Sequence, residues 1–85
     1  MKVNTITVSG KTLYARLASQ LCKLTSSFKC NIWFEKANRR VNGKSLLGIL
    51  SLNLQADSDV TIIVDGIDEE LAYKQISDFL STMEK

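Results

Sequence analysis

"CNIWFEKANRRVN", residues 30–42, holds two short runs of strand character separated by a tight polar turn. In the first run Ile32 and Phe34 fall on one side and Trp33 and Glu35 on the other, which is the two-residue period of a half-buried strand. "ANR" turns the chain into the second run, "RRVN", and strands joined by so short a turn pair as an antiparallel hairpin. On its C-terminal side follows "GKSLLGILSLNL", residues 43–54. Ser45 stands there as an N-cap and the residues after it are apolar nearly all round, so a short helix is expected with one buried and one exposed apolar side. Gly48 inside that helix costs about 1 kcal/mol of propensity relative to alanine.

On the N-terminal side, Ala18, Leu21, Cys22, Leu24 or Thr25, and Phe28 recur at helical spacing and predict a helix over 15–28. Before it, residues 2–8 alternate and are rich in β-branched side chains, which predicts a strand ended by Gly10. "DVTIIVDG", residues 59–66, is the strongest strand, closed by Gly66. Asp68 is placed to cap a last helix, with Glu69 and Glu70 in its first turn and Ala72, Ile76, Phe79, Leu80 and Met83 as its core-facing stripe. The element order is βαββαβα. Four strands with one short and two longer helices imply an antiparallel or mixed sheet with the helices on one face, an α+β open-faced sandwich.

The 85 residues make one small domain, 1–85, of ordinary composition with 45% hydrophobic and 24% charged residues. No run approaches membrane-spanning length and no signal-peptide core is visible, so a cytoplasmic protein is expected. A net charge of +2 is too small to argue for nucleic acid. Cys22 and Cys30 fit no metal spacing and read as reduced thiols, at least one of them filling core space. The chain contains no histidine. That excludes a histidine general base, a histidine-containing triad, histidine metal ligands and a phosphohistidine intermediate. No phosphate-binding glycine loop, nucleophile elbow or paired carboxylates appear either, so no catalytic, metal or cofactor site is expected.

Each candidate residue has a structural and a functional reading. Ser45 is a helix cap, or a phosphorylation site that would put about −1.5 to −2 charges beside Lys44 at a helix N-terminus. Leu46, Leu47, Ile49, Leu50 and Leu52 cannot all face inward from so short a helix; the exposed ones are scattered surface leucines or a patch for a protein partner. Arg16, unfavourable for the dipole at a helix start, is a solvated side chain or an anion contact in a partner. Arg39 and Arg40, with Lys36, Lys44 and Trp33, are a solvated face or a weak nucleic-acid footprint.

At fixed spacing, Val41-Asn42, Lys44-Ser45, Gly48 and Ser51-Leu52 of "RVNGKSLLGILSLNL" resemble the "KVN-x-KS-I-M-G-[VL]-M-SL" segment of HPr, the phosphocarrier of the bacterial sugar phosphotransferase system. "LYARLAS", residues 13–19, resembles the family's "[IL]-HARPA-[AST]", and "TIIVDGIDEELA", residues 61–72, its fourth strand and third helix opening. The resemblance implies an HPr-like fold over nearly the whole chain. It puts Tyr14 where the family carries its phosphate-accepting histidine, Thr12 at a family glycine and Leu17 at the family proline, while Ala15, Arg16 and Ala18 are kept. A phosphohistidine passes its group on because the P–N bond is labile, and an aryl phosphate ester on tyrosine is no equivalent relay.

What remains resembles the regulatory half of the family and its histidine-less Crh-type members. The resemblance implies phosphorylation of Ser45 by HPr kinase/phosphorylase and action on a LacI-type catabolite-control regulator, with Arg16, Lys44, Leu46, Leu47 and Leu50 as the partner-binding surface. The alternative is a phosphorylation-independent adaptor or decoy on enzyme I, a permease domain or a metabolic enzyme. Neither reading calls for a cofactor, a membrane or direct nucleic-acid contact.

Overall fold

In the computed structural model, which describes residues 1–8, 15–55 and 57–81, the elements follow the expected order. They are β1 (Lys2–Thr7), α1 (Ala15–Ser26), β2 (Asn31–Lys36), β3 (Arg39–Asn42), α2 (Leu46–Ser51), β4 (Asp59–Asp65) and α3 (Glu69–Ser81). The strands form one sheet in the order β1-β4-β2-β3, antiparallel throughout. The expected alternation of β2 holds: Ile32 and Phe34 are buried, with Trp33 and Glu35 half-buried on the opposite face.

Ile32, Phe34, Val60, Ile62 and Val64 supply the sheet's side of the core. Ala18 and Leu21 of α1, Ile49 of α2, and Ala72, Ile76 and Leu80 of α3 supply the helical side. Fully burying each of the larger aliphatic side chains stabilises the fold by about 1.5–3 kcal/mol. Of the stripe expected on α3, Ala72, Ile76 and Leu80 are buried, Phe79 is half-buried and Met83 lies outside the described residues.

Two boundaries and one cap differ from the sequence reading. β1 stops at Thr7, although Val8 beyond it is buried and exchanges backbone hydrogen bonds with Ser58 and Asp57, each 2.8 Å. Gly10, expected to end this strand, lies outside the described residues. α1 stops at Ser26 because its last turn tightens: Ser27 N–H donates to Leu24 O (3.1 Å) and Phe28 N–H to Thr25 O (3.2 Å). Phe28 still enters the core, from just beyond the helix.

Asp68 corrects a third expectation. Its carbonyl accepts from Ala72 N–H, as an N-cap residue's should, but its carboxylate does not cap α3. Instead it accepts from the backbone N–H groups of Lys29 (2.8 Å) and Cys30 (2.9 Å), fastening the α1–β2 connection to the start of α3. Glu69 accepts from Gly66 N–H at 3.0 Å, which closes the turn that leads into α3. Gly66 permits this closeness: its φ is +154°, and a Cβ there would lie 2.6 Å from Cys30 Cα. Cys30 is a buried core thiol whose pKa is pushed up to about 11, mainly by burial and next by the Asp68 carboxylate.

The β2–β3 loop is the two residues Ala37 (φ +51°) and Asn38 (φ +68°), the left-handed pair of a type I′ turn. Alanine is poorly suited to positive φ. Ala37→Asn is therefore expected to raise stability by about 0.5–1 kcal/mol, seen as a higher urea midpoint at unchanged slope. A lower midpoint would contradict this turn geometry.

Asp68 gives a pH prediction. Its carboxyl is held below the ordinary 3.8, first by the Lys29 N–H and then by the Cys30 thiol and N–H. A folded-state pKa depressed below the unfolded one contributes stability that is fully present above the unfolded value, and that is lost as pH falls through the folded value. Acid titration of stability should accordingly show a drop beginning near pH 3.8, and Asp68→Asn should flatten it. An unchanged acid limb in that variant would contradict the assignment.

Candidate functional site

The segment leaving β3 is folded by its own backbone and then pinned from outside. Asn42 Oδ1 accepts from Lys44 N–H (2.8 Å) and Asn42 O from Ser45 N–H (3.1 Å), closing a turn over residues 42–45. Gly43 N–H donates to Ile32 O at 2.7 Å, tying the turn to β2. From α1, the fully buried Thr25 hydroxyl lies 2.7 Å from Gly43 O and 3.0 Å from Cys22 O, its one proton shared between them. Cys22 S–H donates to Lys44 O at 3.4 Å. Lys44 Nζ, in the opposite direction, donates to Phe28 O at 2.6 Å. The turn is thus fixed to β2, to the body of α1 and to the connection that follows α1.

This turn delivers Ser45 with extended backbone, φ −103° and ψ 118°, as the N-cap of α2. Its Oγ accepts from Gly48 N–H (3.1 Å) and its carbonyl from Ile49 N–H (2.9 Å). The first turn of α2 contains no acidic residue. An anion on Ser45 Oγ would therefore meet the helix's free N–H groups without a competing carboxylate from that turn.

α2 divides its apolar side chains as its length requires. Ile49 is buried, with Leu52 and Leu54 beyond the helix also inside, whereas Leu46 (39% exposed), Leu47 (80%) and Leu50 (37%) face out. Gly48 explains its own propensity cost. A Cβ there would stand 3.2 Å from Val41 Cβ and 3.4 Å from Asn42 O, so glycine lets α2 lie close against β3.

Arg16 is the second residue of α1 and is exposed. At 1.5 Å per residue it sits about 9 Å along the helix axis from Cys22, which touches the turn. α1 and α2 pack against each other, so Arg16 and the leucines belong to the same helical layer. Lys44, expected among the partner-binding residues, has a structural task as well, since its ammonium holds Phe28 O. Tyr14 and Thr12 lie outside the described residues. Sequence reasoning missed Thr25, Cys22 and the Phe28 carbonyl as supports of the site; the one available signal was a threonine on the apolar stripe of α1.

The cations that the sequence offers as a solvated face or a weak nucleic-acid footprint do not converge. Arg40 shares a sheet face with Glu35 and pairs with it at 3.7 Å, while Arg39 points to the other face. Lys36 Nζ donates to Asn53 O and Lys44 Nζ to Phe28 O. Among the described residues no cluster of His, Cys, Asp or Glu could hold a metal ion, and no helix is long and apolar enough to cross a membrane.

An antiparallel four-stranded sheet with three helices on one face, presenting a serine-capped short helix beside exposed leucines, defines the class: an open-faced α+β domain of the phosphocarrier type. The PTS-HPr family, described as the PTS HPr component phosphorylation site, matches this chain over residues 3–82. The chain belongs to the HPr family. It is 32% identical over 69 residues to the phosphocarrier protein HPr of Neisseria meningitidis serogroup A, covering 81% of this chain and 78% of that one. It is 34% identical over 68 residues to the HPr-like protein Crh of Halalkalibacterium halodurans, covering 80% and 81%. Among solved structures, HPr-C-His from Thermoanaerobacter tengcongensis superposes with a TM-score of 0.89 at 40% identity, covering 94% of this chain and 91% of that one.

Thr25→Val keeps the side-chain volume and removes the hydroxyl that reaches Gly43 O. It should cost about 1–3 kcal/mol in urea denaturation, the penalty of an unsatisfied buried acceptor. A loss within error of zero would show that the turn is held without it.

Proposed function

We propose that this chain is a non-catalytic HPr-type regulator, switched by phosphorylation of Ser45 and docking on its partner through Leu46, Leu47 and Leu50 with Arg16 at the rim. The observation that carries the reading is the juxtaposition at α2. A serine oxygen already occupies the N-cap, and three exposed leucines follow it on a helix held rigidly to α1. A phosphate on Ser45 would add charge where N–H groups favour it and leave the apolar face available, so phosphorylation changes the surface and spares the fold. The family resemblance names the complementary partners: HPr kinase/phosphorylase as the modifying enzyme and a LacI-type catabolite-control regulator as the receptor, in the cytoplasm. Basic groups on such a regulator would pair with the phosphate, and the leucines would supply desolvated contact area.

The complete absence of histidine supports a role other than phosphoryl carriage. Tyr14 at the family's histidine position lacks the labile P–N chemistry, and the reading assigns it no catalytic part. A second reading rests on the same exposed leucines. They face out with Ser45 unmodified, which favours a phosphorylation-independent adaptor or decoy on enzyme I, a permease domain or a metabolic enzyme.

Partner binding separates the two. Leu47→Glu, at an exposed position, should leave stability within about 0.5 kcal/mol while weakening binding at least about tenfold, because it puts a charge in the centre of the contact. Ser45→Ala should abolish kinase-dependent binding to the LacI-type regulator and, by removing the cap, cost about 0.5–2 kcal/mol of stability. Binding that survives Ser45→Ala but not Leu47→Glu would favour the adaptor. Binding indifferent to both would sink both readings.

A further inference from the structure

Asn42 and Gly43, which open the turn before Ser45, are each required by the fold. Asn42 is exposed, and its Oδ1 accepts from Lys44 N–H at 2.8 Å, which shapes the turn. Gly43 is buried against β2: a Cβ there would stand 2.5 Å from Ile32 Cγ2 and 3.1 Å from Ile32 O, so a larger residue does not fit. Packing thereby sets an asparagine carboxamide directly before the least hindered backbone nitrogen a chain can offer. The chain's other asparagines, Asn4, Asn31, Asn38 and Asn53, precede Thr5, Ile32, Arg39 and Leu54, whose side chains crowd the same approach.

An asparagine–glycine pair carries its own reaction. The glycine nitrogen, once deprotonated, attacks the asparagine Cγ; the N–Cγ bond forms, the Cγ–Nδ2 bond breaks and Nδ2 leaves as ammonia. Water then opens the succinimide at either carbonyl. One opening gives aspartate, and the other gives isoaspartate, in which the backbone runs through Cβ and Cγ and gains a methylene. In the native chain both reactants are restrained. Gly43 N–H is engaged by Ile32 O at 2.7 Å and Asn42 O by Ser45 N–H at 3.1 Å, so the peptide between Asn42 and Gly43 is held at both ends. The Asn42 carboxamide is held by Lys44 N–H, and the Thr25 hydroxyl secures Gly43 O from the α1 side.

We propose that Asn42–Gly43 is a deamidation site that the fold keeps unreactive, and that its conversion to isoaspartate removes Ser45 from the N-cap of α2. In the isoaspartate form the carbonyl that accepted from Ser45 N–H becomes a free carboxylate outside the backbone, and the added methylene displaces the turn. Ser45 Oγ then no longer meets Gly48 N–H. Reaction requires the turn to open locally, so the bonds that present Ser45 also protect the asparagine before it.

Peptide mapping of the full chain, aged in mildly alkaline buffer with and without denaturing urea, tests the site. In urea Asn42 should convert ahead of the other four asparagines, with isoaspartate as the larger product. In native buffer the same conversion should be at least about tenfold slower, because only the locally opened turn reacts. Thr25→Val should speed the native reaction about fivefold or more, the Boltzmann factor of one lost buried hydrogen bond, and leave the rate in urea unchanged. In the isolated isoaspartate form, amide exchange should show Gly48 N–H stripped of its protection, a readout that does not depend on phosphorylation of Ser45. Equal rates in native buffer and urea, no preference for Asn42 in urea, a native Thr25→Val rate equal to the wild type's, or a Gly48 N–H still protected in the isoaspartate form would each overturn the proposal. Should Thr25→Val fail to fold, the comparison of native with urea-unfolded wild type and the Gly48 exchange decide.

Discussion

The hydroxyl of Thr25 reaching the carbonyl of Gly43 is the contact on which the rest of the site depends. It is the one fully buried polar side chain among the described residues, and it joins the last turn of the domain's first helix to the turn that delivers Ser45. A buried carbonyl without a partner is costly, so this bond fixes the separation of α1 from the turn more firmly than apolar packing would. Two further bonds reinforce it across the same gap, Cys22 S–H donating to Lys44 O and Lys44 Nζ donating to Phe28 O. With residues 43 and 44 pinned, Ser45 is obliged to cap α2 in extended conformation, and α2 is obliged to turn Leu46, Leu47 and Leu50 outward.

On the proposed reading, this arrangement separates the element that would carry a signal from the elements that carry stability. Ile49, Leu52 and Leu54 tie α2 and its exit to the core, whereas the leucines on the other side contribute little to folding and are free to serve a partner. Asp68 does comparable work just beyond the same end of α1 by fastening the connection at Lys29 and Cys30 to α3. The helical layer is therefore held by polar contacts around the C-terminal end of α1 and by aliphatic packing between its helices and the sheet. A charge added at Ser45 enters a frame already fixed, and its consequences are confined to the surface.

Much of this was legible in the chain itself. The alternation of Ile32 and Phe34 with Trp33 and Glu35, the helical spacing of Ala18 and Leu21, and the serine before an over-apolar short helix each specify an element through side-chain periodicity. The exposure of some leucines followed from arithmetic, since six helical residues cannot bury apolar groups all round. What periodicity cannot express is a side chain serving distant backbone. Asp68 stands where a cap belongs, and only the tertiary fold brings Lys29 and Cys30 within its reach. Thr25 and Leu24 were equivalent by spacing, and the choice of Thr25 for the interior depended on a carbonyl 18 residues away. Lys44 looked like a solvated cation because nothing local marks the Phe28 carbonyl as its acceptor.

This member of the HPr family has a serine capping α2 beside exposed leucines and no histidine anywhere. The account consequently rests on Ser45 as the phosphate acceptor and on the absence of transfer from the sugar phosphotransferase system. The measurement that tests it most directly is intact-mass spectrometry with fragment mapping, after incubation with ATP and HPr kinase/phosphorylase and, separately, with enzyme I and phosphoenolpyruvate. One phosphate located on Ser45 in the first reaction and none in the second is the result the account predicts. Phosphate taken from enzyme I, on Tyr14 or elsewhere, or a Ser45 that the kinase leaves untouched, would contradict it.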